Sequence, residues 1–68
     1  MTNNARRILR AAAANRRSRA TTRWYAHHAG MSTAHAEAAL RELSAEGRAV
    51  VIDKQADVYD LKSEGSSE

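Results

Sequence analysis

The chain has 68 residues, with 11 Lys and Arg against 8 Asp and Glu, and it contains no cysteine and no proline. This length predicts one small domain, and the lack of cysteine excludes disulfides and thiolate metal sites, which favours a reducing, cytoplasmic setting. No apolar run reaches the roughly 18 residues of a membrane span. A core of this size also leaves little room for the deep pocket of an enzyme.

The charges are divided unevenly between the two halves of the chain. Residues 1–36 contain seven arginines and no acidic residue, whereas residues 37–68 contain eight acidic and four basic residues. The halves therefore carry +7 and −4, which together give the net charge of +3. This asymmetry indicates a polyanionic partner for the first half, with nucleic acid as the first candidate. The alternative is a solvated basic face without a partner.

The first half of the chain predicts two helices. Asn3 and Asn4 are candidate N-caps for a helix over about residues 4–15, whose apolar residues recur at helical spacing: Ala5, Ile8, Leu9, Ala12 and Ala13. Residues 16–20 interrupt this spacing and are interpreted as a basic connector. Thr21 or Thr22 then begins a short helix over about residues 22–29, which ends at Gly30 and buries Tyr25, Ala26 and Ala29.

The second half predicts one helix and a hairpin. Ser32 caps a helix over about residues 33–46, with core residues Ala36, Ala39, Leu40 and Leu43. Residues 49–53 and 57–61 are rich in β-branched and aromatic side chains and predict two paired strands. We expect Val50 and Ile52 to face inward beside Tyr59 and Leu61, with Val51 and Val58 on the outer face. The polar residues 63–68 are predicted to be disordered.

One stretch of the sequence carries a family resemblance, YAHHAGMSTAHAEAALRELSAEGRAVV from Tyr25 to Val51. It combines a small residue in the second helix, a glycine turn, a serine cap, an apolar helix core and a Glu-Gly pair before the hairpin. With the elements around it, over about residues 4–62, the chain resembles the winged helix-turn-helix domains of bacterial or phage transcriptional regulators. The resemblance implies a mainly α fold with a small β-hairpin, double-stranded DNA as partner and no cofactor.

The resemblance makes the third helix the recognition helix, which enters the major groove N-terminus first. Its candidate DNA contacts are Ser32, Thr33, Ala34, His35, Glu37, Ala38 and Arg41. Thr33, His35 and Arg41 have donors for base edges or phosphates, and the alanines fit thymine methyl groups. The alternative for Arg41 is a simple ion pair with Glu37 one helical turn away.

Phosphate contacts are expected from the start of the second helix and from the arginines around it. Thr21 and Thr22 lie at a helix N-terminus, where N–H groups and the helix dipole favour an anion. The arginines expected to join them are Arg16, Arg17, Arg19 and Arg23. Lys54 and Gln55 lie at the tip of the wing and are further candidates. Asp53 and Asp57 flank that tip and repel phosphates, so a wing that only closes the core is an equal alternative.

Other functions are weighed against DNA binding. Trp24 is expected to be half-buried, since so small a core needs its area. His27, His28 and His35 do not suggest a metal site, because adjacent histidines diverge by about 100° on a helix, and no catalytic set is recognised.

The main alternative is a protein-protein interaction module that uses the surface of Ala34, Ala38 and Ala45. A DNA-binding protein needs its arginines on the same side as Thr33 and His35, and its expected location is the cytoplasm, with the nucleoid.

Overall fold

The structure, a computed structural model, describes residues 1–62 as three helices and a three-stranded antiparallel sheet. In chain order the elements are α1 (Asn3–Ala14), β1 (Arg19–Thr21), α2 (Thr22–Ala29), α3 (Thr33–Ala45), β2 (Ala49–Asp53) and β3 (Val58–Leu61). The mainly helical fold with a small β-hairpin is thereby confirmed, and its layout is compatible with a winged helix. The disorder predicted for residues 63–68 lies outside the described residues.

The core is formed where the three helices meet the inner face of the sheet. Its largest fully buried side chains are Tyr25, Ile8, Leu40 and Leu43. The buried residues predicted for α2 and α3 are confirmed, but those predicted for α1 are partly wrong. Ala11 is buried and Ala13 is exposed, because five residues after Ile8 the helix has turned by about 140° from it.

The N-cap of α1 is Thr2, so the prediction of Asn3 or Asn4 is wrong. The Thr2 hydroxyl accepts a hydrogen bond from the Ala5 N–H at 3.2 Å and donates one to Glu42 Oε1 at 2.7 Å. The Thr2 N–H donates to the other carboxylate oxygen of Glu42 at 3.0 Å. These two hydrogen bonds hold the pKa of Glu42 below its usual value, and they fix the start of α1 to the C-terminal part of α3.

All three helices end in the Schellman arrangement, in which one residue after the helix takes the left-handed conformation. Gly30 after α2 and Gly47 near the end of α3 have φ of 71° and 76°. The corresponding residue of α1 is Arg16, with φ of 51°. Its N–H donates to the Ala13 carbonyl at 3.2 Å, and the next N–H donates to Ala12 at 2.9 Å. An arginine therefore occupies a position that usually favours glycine.

The segment interpreted as a basic connector overlaps a short strand, β1, which was not predicted from the sequence. β1 pairs antiparallel with β3, so that Ala20 lies opposite Tyr59. The sheet order is β1-β3-β2, with the last strand in the chain at the centre. Only three residues long, β1 depends on this pairing with a distant strand, and its own sequence gives no alternation pattern.

The predicted hairpin is present, but the predicted inner face of β2 is wrong. Ala49 lies opposite Leu61 and Val51 lies opposite Tyr59, so these residues share the face that packs toward the helices. An irregularity in the register follows between Val51 and Asp53. The expected inward residues, Val50 and Ile52, are 41% and 45% exposed, and Val51 is 40% exposed. A continuous run of β-branched residues has no alternation from which the register could be read.

Candidate nucleic-acid interface

The N-termini of α2 and α3 meet the turn of the hairpin at one cleft of about 350 Å³. We call it the helix-terminus cleft, and its lining consists of Thr21, Thr22, Arg23, Thr33, Ala56 and Asp57. Four of these residues were predicted DNA contacts, from two different helices. Ala56 and Asp57 were not predicted, because only the tertiary fold brings the hairpin turn to the helices.

The start of α2 is fixed by its two threonines. The Thr21 hydroxyl accepts from the Trp24 N–H at 3.1 Å and is the N-cap. The buried Thr22 donates to the Asp57 carbonyl oxygen from its N–H at 3.0 Å and from its hydroxyl at 3.3 Å. Thr22 therefore serves the packing of the turn against α2, while Thr21 and Arg23 are exposed. The first turn of α2 contains no acidic residue, so its N–H groups and Arg23 make a local positive potential.

The start of α3 presents three exposed residues, Thr33, Ala34 and His35. The Ser32 hydroxyl accepts from the His35 N–H at 3.1 Å and lies 3.0 Å from His35 Nδ1. With the ring proton on Nε2, the hydroxyl donates to Nδ1, and the Nε2–H is directed away from the cap as a hydrogen-bond donor. Ser32 is thus a capping residue that orients His35.

The outward face of α3 continues with Ala38 and Arg41, which are also exposed. Glu37 is half-buried, and its carboxylate lies 3.8 Å from the Arg41 guanidinium. The i, i+4 ion pair weighed in the sequence analysis is therefore present. An exposed pair of this kind stabilises by less than about 1 kcal/mol, so Arg41 can exchange Glu37 for another anion at little cost.

The tip of the hairpin is a closed turn with exposed Lys54 and Gln55 side chains. Asp53 Oδ1 accepts from the Gln55 N–H at 3.0 Å and from the Ala56 N–H at 3.2 Å. Asp57 follows with φ of 57°. The acidic residues that flank the tip are therefore structural in part: one closes the turn, and the other supplies the carbonyl to which Thr22 donates.

The four arginines predicted to form one patch are distributed over three places. Arg23 lines the helix-terminus cleft with Thr33. Arg16 and Arg17 line a different cleft beside the C-terminal half of α1. Arg19 lies 3.5 Å from Asp60, its partner in the sheet register. Of the four, Arg23 is the one that shares a cleft with α3.

Trp24 is half-buried, as predicted, and it forms a stack that the sequence analysis missed. Its ring lies over His28, with centroids 4.2 Å apart and planes at 21°, and the Arg17 guanidinium carbon is 5.4 Å from its centroid. The i, i+4 spacing of Trp24 and His28 on α2 is the signal that predicts such a contact. Within residues 1–62, no group of three or more His, Cys, Asp or Glu side chains could hold a metal ion.

The arrangement is that of a donor-rich surface at two helix N-termini, lined by one cation, Arg23, and one acid, Asp57, beside an exposed helix face. In the part of the chain that the structure describes, no helix has the length and apolar character that crossing a membrane requires. Comparison with models of protein families, with curated proteins and with solved structures found no match to this chain.

Proposed function

We propose that this protein binds double-stranded DNA, with the N-terminal half of α3 in the major groove and the start of α2 on the phosphate backbone. The observation that carries the proposal is the helix-terminus cleft. Two helix N-termini and Arg23 converge there, and a site of this kind favours a phosphate group. A phosphate on Thr21 and Arg23 would set the register of the duplex, leaving Thr33 and His35 to read base edges.

The charge distribution supports the same partner. The first 36 residues carry seven arginines and no acidic residue, and a cation in the first turn of α2 opposes the helix dipole unless an anion lies beside it. Arg23 holds that position. A role as a transcriptional regulator or as an accessory factor of a mobile element, in the cytoplasm with the nucleoid, follows as part of this proposal.

The test is fluorescence anisotropy of a labelled random-sequence duplex at about 50 and about 200 mM salt. We expect the affinity to fall by orders of magnitude between the two salt concentrations. Arg23→Ala should weaken binding to all sequences about equally and reduce the log–log salt slope by about 0.9, the value for one phosphate contact. Arg6→Ala is the matched control, because Arg6 is an exposed helical arginine that lines neither cleft.

Substitutions on α3 test the second half of the proposal. His35→Ala and Thr33→Val should change the preference among duplex sequences more than they change the salt slope, because base contacts specify and phosphate contacts position. A panel of labelled duplexes in competition measures this preference. If the Arg23 and His35 variants bind every duplex as the parent chain does, α3 does not dock in the groove and the proposal is wrong.

A protein-protein interaction module is the second candidate function. Ala34, Ala38 and Ala45 are exposed on α3, and a surface of small side chains permits close approach of a partner helix. The duplex titration separates the two functions, since a docking module would show no binding even at about 50 mM salt.

A further inference from the structure

A second cleft, of about 570 Å³, lies between the C-terminal half of α1 and the open end of the hairpin, where β2 begins and β3 ends. We call it the basic cleft. Within residues 1–62, its polar lining is dominated by five cationic residues, Arg10, Arg16, Arg17, Arg48 and Lys62, and contains no acidic residue. Its apolar lining consists of Leu9, Ala12, Ala13 and Leu61. A cationic rim thus surrounds an aliphatic floor.

Most of the cationic side chains that line the basic cleft are not neutralised by a carboxylate of residues 1–62. Within residues 1–62, neither Arg10 nor Arg16 has a carboxylate within ion-pair distance. The Arg17 guanidinium donates to the Arg19 carbonyl at 3.0 Å, a neutral partner that leaves its charge uncompensated. Arg48 lies 3.9 Å from Glu46, which is outside the lining. The cleft therefore presents a concentration of positive charge that an anionic group can neutralise.

Arg16 is held in the cleft at a conformational cost. A non-glycine residue in the left-handed region is disfavoured by about 1 kcal/mol, and glycine occupies the equivalent position after α2 and α3. Attraction to the C-terminal dipole of α1 does not require this position, because the exposed Ala13 and Ala14 offer ordinary helical backbone. Strain of this kind concentrates at functional positions, and it points to a use for the Arg16 side chain.

From these observations we infer that the basic cleft binds an acidic peptide segment of a partner protein. An aliphatic side chain of the peptide packs on Leu9 and Leu61, and flanking carboxylates pair with Arg10, Arg16 and Lys62. The inference goes beyond DNA binding and concerns a different surface, so either can fail alone. Charge complementarity identifies the peptide as acidic, and the aliphatic floor identifies the residue between the acidic groups as apolar.

The floor distinguishes this occupant from a nucleic acid. A duplex backbone presents charged phosphates, which gain nothing from burial against leucine and alanine side chains, and sugars with much less apolar surface than an aliphatic side chain. Recognition of unpaired bases relies on aromatic platforms, and the basic cleft has no aromatic lining residue. An aliphatic side chain between carboxylates matches both parts of the lining, because it removes apolar surface from water while the rim neutralises the charges.

The experiment uses a fluorescein-labelled peptide in which two leucines are flanked by glutamates, titrated with the full-length chain. Two control peptides replace the leucines by serine or the glutamates by glutamine. We expect each control peptide to bind at least about tenfold more weakly than the peptide that keeps both the leucines and the glutamates. Arg16→Gly should weaken binding of the peptide with leucines and glutamates about fivefold or more. It should not lower the melting temperature of the chain, because glycine relieves the backbone strain. Arg6→Ala should bind as the parent chain does.

Five outcomes would overturn the inference. Equal binding of the serine and leucine peptides would make the attraction purely electrostatic. Equal weakening by Arg16→Gly and Arg6→Ala, or no change with Arg16→Gly, would exclude a specific role for Arg16. If Arg16→Gly reduced duplex binding as much as peptide binding, the cleft would be part of the DNA surface. If replacing Glu64 and Glu68 by glutamine raised peptide affinity tenfold, the chain's own acidic residues would be the occupant.

Discussion

Tyr25 joins two segments of backbone that are far apart in the sequence. Its side chain is completely buried. Its hydroxyl donates to the Ser18 carbonyl at 2.7 Å and lies 3.1 Å from the Tyr59 carbonyl. Burial, with the negative charge of Asp60, raises the pKa of Tyr25 from 10.0 to about 12. The hydroxyl therefore closes the core between α2, the start of β1 and β3, and it does so in its protonated form.

This shifted pKa predicts an alkaline loss of stability. Between pH 10 and about 12 the phenol of the unfolded chain loses its proton while the buried phenol keeps it. The unfolded state then binds fewer protons, so the free energy of unfolding falls with rising pH, by up to about 3 kcal/mol. Urea denaturation at pH 8, 10 and 11.5 measures the effect.

Tyr25→Phe is the control for this prediction. It should lower the free energy of unfolding at pH 8 by about 1 kcal/mol, because a buried carbonyl loses its donor. It should also remove most of the decline above pH 10. A decline of unchanged size in Tyr25→Phe would assign the alkaline transition to other groups.

At the scale of the helices, one threonine links the start of α1 to α3 in addition to their shared core. Thr2 caps α1 and gives two hydrogen bonds to Glu42 on α3. Thr2→Ala should therefore lower the free energy of unfolding by about 1 kcal/mol, measured by urea denaturation. Asn3→Ala is the matched control and should cost much less, because Asn3 lies inside the helix. Equal losses would show that Asn3 shares the cap.

Helix signals and strand signals differ in how far along the chain they act. The helices α2 and α3, their serine or threonine caps and their glycine ends follow from residues within a few positions of one another. β1 and the register of β2 depend on pairing with β3, which begins at Val58. The choice of Thr2 over its neighbours depends on Glu42, forty residues away. Local sequence therefore predicted the helices, but it did not predict β1, the register of β2 or the N-cap of α1, because these depend on residues far away in the chain.

Some residues of the candidate site could likewise be predicted from local sequence, whereas the place of others depends on the tertiary fold. Thr21, Arg23 and Thr33 were predicted from helix N-termini, and the structure brings all three to one cleft. Arg16 and Arg17, only a few residues earlier in the sequence, line a different cleft. Arg17 contacts α2 through the Trp24 ring, with its guanidinium carbon 5.4 Å from the ring centroid, but it does not line the helix-terminus cleft. Closeness in sequence gave no sign that the arginines would divide between two clefts.

For the whole molecule, the electrostatics of the proposed DNA-binding surface depend on an acidic residue as well as on the basic ones. Asp57 lines the helix-terminus cleft, and its carbonyl oxygen, not its carboxylate, accepts from Thr22. Asp57→Asn keeps this interaction, and asparagine tolerates the positive φ. We expect duplex affinity to rise about two- to fivefold at about 50 mM salt, because one repulsive charge is removed. Anisotropy with the random-sequence duplex measures the change.

Glu46→Gln makes the same change in net charge at the opposite end of α3, where Glu46 is exposed beside Arg48. It should alter duplex affinity much less than Asp57→Asn. An equal gain in both variants would mean that net charge, and not the helix-terminus cleft, governs the attraction to DNA.

The central position of β3 has a consequence for the order of events during synthesis. Both outer strands hydrogen-bond to β3 alone, so neither has a sheet partner until Val58–Leu61 has left the ribosome. The three helices emerge earlier, yet the Tyr25 hydroxyl still lacks the Tyr59 carbonyl of β3, which lies 3.1 Å from it in the folded chain. We therefore expect a nascent chain arrested before residue 58 to be sensitive to protease along β1 and β2, and to become resistant in a single step once β3 is released.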